Sequence, residues 1–215
     1  MIKIERSPNP PNSLKEKKRY DGEDVVLQLK HDFYDKCYLC GIKPVQDPEI
    51  EHLLPHKNGM YLDRKFDWNN LFWSCSHCNS VKNQRKYDEN NILDCCKRDP
   101  EELLKFEIKG EKVFVSVKDE TDIEAQNTAQ LVYEVFNKTN TGMRIHKCQV
   151  RVDELLKEMN ALYDTLEKYH GGDCPVFVKR TLKGLLDRKS PFAEFKRYYI
   201  RKQEQRYPEL MTFIN

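Results

Sequence analysis

Two pairs of cysteines have the spacing of metal ligands. Cys37 with Cys40 and Cys75 with Cys78 each form a Cys-x-x-Cys pair. Four thiolates can surround one Zn²⁺ tetrahedrally, the closed coordination of a structural site. Because no secretion signal is evident, we expect reduced cysteines, which favours metal over disulfides. The spacing therefore predicts a structural zinc site. The alternative is two unrelated pairs, since the interval of residues 41–74 is longer than is usual for a zinc ribbon.

This long interval, and the position just after it, hold further residues with chemical potential. An acid–histidine pair stands before Leu-x-Pro, an asparagine stands before a leucine, and another asparagine follows the second cysteine pair; these residues are Glu51, His52, Asn70 and Asn79. Carboxylate and amide oxygens suit hard cations such as Mg²⁺ or Mn²⁺. A histidine, with an ordinary pKa of about 6.5, can accept a proton near neutral pH.

Taken in order, these parts resemble the signature of the HNH (ββα-metal) endonucleases. The resemblance covers residues 37–86 and is to the variant whose third motif residue is Asn instead of His. It implies that Glu51 and Asn79 hold a catalytic Mg²⁺ or Mn²⁺ and that His52 is the general base, while zinc stays on the four sulfurs. By the same resemblance, the Asn70 side chain hydrogen-bonds across the loop and orients the His52 backbone. Neighbouring residues in a strand point to opposite faces of the sheet. We therefore expect a distorted backbone at Glu51 and His52, so that both side chains can converge on one site.

Other residues of this region are weaker candidates. His56, His77, Lys82 and Arg85 are possible substrate contacts by position and charge, although His56 and His77 could equally be ordinary polar residues. Asn69 competes with Asn70 if the register shifts by one residue. We expect the aromatic residues Trp68, Phe72 and Trp73 to serve in packing. We expect His31, His146 and His170 to be surface residues, and the remaining cysteines to be ordinary thiols: Cys95, Cys96, Cys148 and Cys174.

Length and pattern predict an α+β protein with three segments. Residues 1–30 contain a proline-rich stretch and a charged run, which predict an extended arm without core residues. Residues 31–95 form the predicted nuclease module. Residues 96–215 read as a hairpin, with strands at 103–108 and 113–117, and then a mainly helical domain from residue 122. Ser190-Pro191 indicates the start of a last helix that ends near Lys202.

Charge and hydropathy limit the class of protein. No stretch reaches the roughly 18 consecutive apolar residues of a spanning helix, and the opening residues lack a signal-peptide core. The expected location is therefore the cytoplasm, without a membrane partner. The formal net charge is +2, but the segment from Val176 to Arg206 is locally basic. This favours either nucleic-acid binding or a solvated helix face.

A narrower resemblance rests on the opening residues, the Glu-His form of the motif and the helical second half. In these features the chain resembles the nuclease subunits (PtuB) of bacterial Septu anti-phage systems and their retron-associated relatives. The resemblance implies a PtuA-like ATPase partner and a role in antiviral defence. We predict a metal-dependent endonuclease that cuts DNA, with structured RNA or tRNA as the other substrate. The alternative is a zinc-containing module that binds nucleic acid or regulates an ATPase without catalysis. We also expect residues 1–20 and 122–206 to dock the partner.

Overall fold

The computed structural model describes residues 1–83, 87, 92–171 and 176–214. The fold mixes helices with small antiparallel sheets, which confirms the predicted α+β class. The first half contains α1 (Asn12–Lys15), α2 (Glu23–Asp32), β1 (Pro48–His52), α3 (Leu62–Lys65), β2 (Leu71–Cys75) and α4 (Ser76–Lys82). The second half contains α5 (Pro100–Leu103), β3 (Leu104–Lys109), β4 (Lys112–Val117), α6 (Ile123–Asn137), α7 (Gly142–His170), α8 (Val176–Leu186) and α9 (Ala193–Lys202).

Strands β1 and β2 form an antiparallel pair that leads directly into α4. The register pairs Pro48 with Cys75 and His52 with Leu71, so residues 53–70 form the connecting loop. All five residues of β2 are buried, as expected for a continuous apolar run between a helix and the protein core. Helix α4 begins at the residue after β2 and packs on both strands. The result is a strand–strand–helix unit with the second cysteine pair at its junction.

The second hairpin confirms the strands predicted at residues 103–108 and 113–117. Strands β3 and β4 pair from Leu104 with Val117 to Lys109 with Lys112. Gly110 in the turn has φ of 60°, a left-handed conformation that glycine adopts without a Cβ penalty. The predicted helical region is also confirmed. In α7, apolar residues at helical spacing face the core: Val152, Leu155, Met159, Leu162 and Leu166.

The N-terminal segment is not the extended arm that the sequence predicts. Met1, Ile2 and Ile4 are almost fully buried, and the Ile4 amide donates a hydrogen bond of 3.0 Å to the Cys95 carbonyl. The Arg6 guanidinium lies over the rings of three buried aromatic residues, Phe33, Trp68 and Phe72. Its two terminal nitrogens donate to the carbonyls of Trp68 and Leu71. The segment is therefore part of the core. Its alternating apolar residues, Ile2 and Ile4, and the Arg6 side chain contact residues that are distant in sequence.

The last helix and the basic segment also differ from the prediction. Helix α9 begins at Ala193, after the predicted Ser190-Pro191, because Phe192 adopts a left-handed conformation with φ of 47° and its amide donates to the Gly41 carbonyl. Its end at Lys202 is as predicted. Several cations of residues 176–206 are used inside the protein, in ion pairs with Asp99, Glu101 and Glu158: Arg188, Lys196, Arg197 and Arg201. Along the described ranges, no helix is both long and apolar enough to span a membrane.

Candidate metal centre and neighbouring polar site

The four cysteines of the two pairs meet at one buried point. Their sulfur atoms lie within 4.8 Å of one another. Cys37 and Cys40 lie in a turn after α2, which Gly41 closes with φ of 79° and an amide hydrogen bond of 3.0 Å to the Cys37 carbonyl. Cys75 ends β2 and Cys78 lies in the first turn of α4. This arrangement can hold a metal ion such as zinc, because four sulfur ligands at this separation match a tetrahedral site.

A buried arginine from the helical half contacts this cysteine cluster. Nη2 of Arg151 in α7 donates a hydrogen bond of 3.0 Å to Sγ of Cys75. Hydrogen bonds from the neighbouring thiols, together with the Arg151 charge, lower the pKa of Cys75. Burial lowers the pKa of Arg151, but the negative charge of the cysteine cluster outweighs it and raises that pKa above its usual value. Arg151 therefore offsets negative charge on the sulfurs, as groups around metal ligands commonly do.

The remaining described cysteines lie outside this cluster. Cys95 and Cys148 are buried, and Cys96 is half-buried. The structure thus agrees with their prediction as ordinary thiols. Cys174 lies outside the described residues.

Glu51, at the end of β1, is a buried carboxylate with two partners inside the protein. The hydroxyl of Tyr38 donates to it, and Lys82 of α4 forms an ion pair with it. Burial, followed by the charge of Glu51, raises the pKa of Tyr38, so the phenol remains a donor. The Lys82 ammonium also donates to the carbonyls of His52 and Leu53, each at 3.0 Å. Lys82 therefore differs from its predicted role, because it is a buried anchor of β1 instead of a surface contact for phosphate.

Asn79 lies on α4 about one turn before Lys82 and faces the same strand. Its Nδ2 donates to the carboxylate of Glu49, and its Oδ1 accepts a hydrogen bond of 3.0 Å from Asn83. Glu49 and Glu51 alternate along β1, so both carboxylates lie on the side that meets α4. The structure therefore places the predicted residues Glu51 and Asn79 at one strand–helix interface, each with its own partner. Glu49 is an oxygen donor that was not predicted from the sequence, although its spacing from Glu51 indicates a shared face.

His52 is directed away from Glu51, into a cluster of rings beside the connecting loop. Its ring lies 4.9 Å from that of Tyr20 and 4.6 Å from that of His56, measured between centroids. Nε2 lies 3.1 Å from the Lys65 carbonyl, and because a carbonyl can only accept, Nε2 carries the proton and Nδ1 keeps its lone pair. Burial lowers the pKa of His52 to about 4, helped by the charges of His56, Lys82 and Lys65 against the hydrogen bond to the carbonyl.

The Asn70 side chain fastens the connecting loop from inside. Its Oδ1 accepts a hydrogen bond of 2.7 Å from the Leu54 amide, and its Nδ2 donates to the carbonyls of Leu54 and Arg64, each at 2.9 Å. The bridge across the loop agrees with the expected role, but the described side-chain hydrogen bond to the His52 backbone comes from Lys82 instead. Asn69 is exposed, so the neighbouring residue does not take this position.

The loop itself carries the cations that lie next to His52. His56 accepts a hydrogen bond of 3.0 Å at Nδ1 from the Gly59 amide, which shapes a turn. The guanidinium of Arg64 lies 4.2 Å from the Tyr61 ring centroid, and the ammonium of Lys65 lies 5.7 Å from that of Tyr20. Basic residues interleaved with aromatic ones are typical of nucleic-acid contacts. This group was not among the residues predicted from the sequence, although the run of basic and aromatic residues in 57–66 is a signal for it.

His77, predicted as a possible substrate contact, is fully buried instead. Its Nε2 donates a hydrogen bond of 2.9 Å to the Val135 carbonyl of α6, and Nδ1 lies 3.4 Å from Nη1 of Arg144 in α7. It therefore connects α4 to the helical half. Trp68, Phe72 and Trp73 are buried packing residues, as predicted. Arg85 lies outside the described residues.

Comparison with known proteins adds no relative to these observations. No protein-family model matches this chain, and no curated protein matches it.

Proposed function

We propose that this protein is a metal-dependent endonuclease of the HNH (ββα-metal) type. The observation that carries the proposal is the strand–strand–helix unit of β1, β2 and α4, whose junction holds a four-cysteine cluster. The same unit presents Glu51, His52 and Asn79 in the order of the motif. A chance match to the motif would not be expected to coincide with a strand–strand–helix unit.

The donor types at the β1–α4 interface fit a hard divalent cation. Glu51 and Asn79 would hold Mg²⁺ or Mn²⁺, with Glu49 as a further donor, because carboxylate and amide oxygens are the ligands that these ions prefer. One Glu51 oxygen, Oε1, is buried and has no hydrogen-bond partner among the described residues apart from its ion pair with Lys82. When bound, such an ion supplies charge stabilisation at a phosphate and its leaving oxygen.

His52 is the general base of the proposed reaction. Its imidazole is neutral well below pH 7, because its pKa of about 4 leaves the ring unprotonated. The Lys65 carbonyl holds Nε2–H, so Nδ1 is the atom that would accept the proton of an attacking water. Asn70 keeps the loop closed against Arg64, and Arg64 and Lys65 provide positive charge for the phosphate backbone next to this histidine.

One observation favours the second candidate, a module that binds nucleic acid or regulates an ATPase without catalysis. The ion pair with Lys82 already neutralises Glu51, and a carboxylate with a buried cation partner is a poorer ligand for a second cation. The two candidates differ in metal binding. The nuclease binds Mn²⁺ with an affinity that Glu51→Gln reduces, whereas the non-catalytic module shows no such dependence.

The proposed substrate is DNA, with structured RNA or tRNA as the other candidate. The proposed site acts on the phosphate groups, which DNA and RNA share. By resemblance we also propose a PtuA-like ATPase partner and a role in anti-phage defence. The test is cleavage of supercoiled plasmid and of tRNA by zinc-loaded protein, with Mg²⁺ or Mn²⁺ and with or without the ATPase. We expect metal-dependent nicking of at least one substrate. Absence of cleavage of both substrates under every condition overturns the proposal.

A further inference from the structure

A groove in the helical half is lined by tyrosines and lies outside the residues of the proposed cleavage site. It consists of two adjoining cavities of about 390 Å³ and 680 Å³, at the surface formed by β3, α7 and α9. Tyr163 of α7 and Tyr199 of α9 line both cavities and stand between them. We call these two cavities the tyrosine groove. Their sizes are in the range of binding sites for small planar groups.

The rings of the tyrosine groove offer faces and edges to a planar ligand. Tyr163 and Tyr199 form an edge-to-face pair with centroids 5.0 Å apart. At the second cavity, the rings of His170 and Tyr207 also lie 5.0 Å apart. Phe106 and Met159 supply an apolar wall in the first cavity. Tyr163 and Tyr199 are half-buried, whereas Tyr207 is buried. Half-buried aromatic side chains such as the first two are the platforms on which nucleobases stack.

The polar groups of these rings are available to a ligand. Among the described residues, no hydrogen bond reaches the hydroxyls of Tyr163, Tyr198 or Tyr199. A partly buried tyrosine hydroxyl usually has a partner, and each of these can both donate and accept. Nucleobase edges carry the complementary donors and acceptors. The groove therefore offers stacking surfaces together with hydroxyls that have no protein partner among the described residues.

The charges around the tyrosine groove favour an anion. Lys202 and Lys109 both contact the Glu107 carboxylate, at 2.6 Å and 3.7 Å. Two positive charges therefore face one negative charge, which leaves a net charge of about +1 at this position. The Arg206 guanidinium lies 5.4 Å from the Tyr207 ring centroid, and its Nε donates a hydrogen bond of 3.2 Å to Nε2 of His170. Helix α8 packs on α7 and α9 and exposes Lys179, Arg180 and Lys183, but none of these three residues lines either cavity. Against the positive charges stand Glu167, which lines the groove, and Glu209, which Lys179 and Tyr169 already contact.

We propose that the tyrosine groove binds two or more successive bases of single-stranded nucleic acid, with its phosphates on the cations that line the two cavities, Lys109, Lys202 and Arg206. The two cavities on either side of the Tyr163–Tyr199 pair have space for neighbouring unstacked bases. A duplex hides its base faces, so it cannot occupy the groove in this way. The inference rests on the proposed function for the ligand class and adds that the bound strand is unpaired near the protein. It is tested by binding alone, separately from cleavage.

The experiment measures binding of fluorescein-labelled (dT)₁₂ and (rU)₁₂ by fluorescence anisotropy. The protein is the full chain, zinc-loaded and carrying His52→Ala, without added Mg²⁺ or Mn²⁺. The test variant adds Tyr163→Leu and Tyr199→Leu. The control adds Tyr133→Leu, which removes an exposed ring on α6 that packs on Phe114 outside the groove.

We expect the double leucine variant to bind the single strands at least about 10-fold more weakly, since stacking contributes substantially for each base. The control should bind like the parent, and a 12-base-pair duplex should be insensitive to either change. Equal affinity of the double variant and the parent for both oligonucleotides overturns the proposal. So does equal loss of duplex binding in the double variant.

A second measurement keeps the test decisive if the leucine variant fails to fold. Oligonucleotides carrying 5-iodouracil are crosslinked to the parent protein and the crosslinked peptides are identified. Crosslinks on Tyr163 or Tyr199 support the groove. Crosslinks confined to residues 52–66 overturn it and leave the proposed cleavage site unaffected.

Discussion

Replacing Lys82 distinguishes two roles for this residue. Lys82 forms a buried ion pair with Glu51 in the structure, whereas the sequence suggested a contact with substrate phosphate. Lys82→Met keeps the length of the side chain but removes its charge. Glu51 would then remain buried beside Tyr38 without a cation, and the carbonyls of His52 and Leu53 would each lose a donor at 3.0 Å. Since only about 3% of Lys82 and 2% of Glu51 are exposed, water cannot replace these interactions.

Breaking a buried ion pair by removing one partner typically costs about 3–5 kcal/mol, because the other charge stays uncompensated. We therefore expect Lys82→Met to lower the free energy of unfolding by about that amount. Adding Glu51→Gln removes the orphaned charge, so the double variant should be less destabilised than the sum of the single variants by about 1–3 kcal/mol. Lys82→Met and the double variant both lose the donors to the carbonyls of His52 and Leu53, so this loss does not contribute to the difference.

The assay is urea unfolding followed by far-UV circular dichroism, at saturating zinc. The matched control is Lys183→Met, an exposed lysine of α8 with no ion pair among the described residues, which should change the free energy of unfolding by less than about 0.5 kcal/mol. If Lys82→Met costs no more than Lys183→Met, the buried pair is refuted. In that case Lys82 would fit the phosphate contact that its position suggests, and its loss would reduce the salt dependence of nucleic-acid binding.

Further predictions address the metal cluster, the loop and a buried carboxylate. Arg151→Met should weaken zinc affinity about 10- to 100-fold in a competition titration, because it removes the charge beside the thiolates. Asn70→Ala should lower the free energy of unfolding by at least about 2 kcal/mol and speed proteolysis of the loop, because the Leu54 amide loses its partner. Burial alone would raise the pKa of Glu101, but Arg197 lowers it below its usual value. This carboxylate therefore stabilises the fold above its unfolded-state pKa, and the stability is lost as pH falls through the folded value. Unfolding midpoints at pH 7, 4 and 3 should show this fall, and the fall should be smaller in Glu101→Gln.

Local patterns were enough to predict several parts of the fold. Each cysteine pair spans a single turn, so its Cys-x-x-Cys spacing was enough to predict a pair of metal ligands. The β3–β4 hairpin follows from two apolar runs around Gly110, and α7 from its helical stripe. In these cases the signal lies within a few residues of the element that it predicts, so periodicity and turn chemistry suffice.

Other parts depend on contacts that a single sequence does not display. Ile2 and Ile4 are too few to predict a core element, yet they pack in the core with residues far along the chain. His77 and Lys82 have side chains that suit phosphate binding, and their burial follows only from the packing of α4 against β1 and α6. Phe192 delays α9 through its hydrogen bond to Gly41, a partner that is distant in sequence.

The candidate site divides in the same way. Residue types and order predicted Glu51, His52, Asn70 and Asn79, but not which side chains they contact. Glu49 as a partner of Asn79, and Tyr20 as a neighbour of His52, emerge only when the loop and the strands are in place. Sequence therefore indicates the candidate site residues more readily than the side chains that contact and orient them.

The measurement that tests the nuclease proposal most directly is the single-turnover cleavage rate of His52→Ala with saturating Mg²⁺ or Mn²⁺. Loss of a general base typically lowers the rate by about 10² to 10⁴, and we predict a loss in this range with unchanged zinc content and unfolding midpoint. The matched control is His146→Ala, an exposed histidine of α7, which should cleave at the parent rate. A His52→Ala protein that cleaves at the rate of the His146→Ala control would contradict the assignment of His52 as the base and, with it, the proposed site.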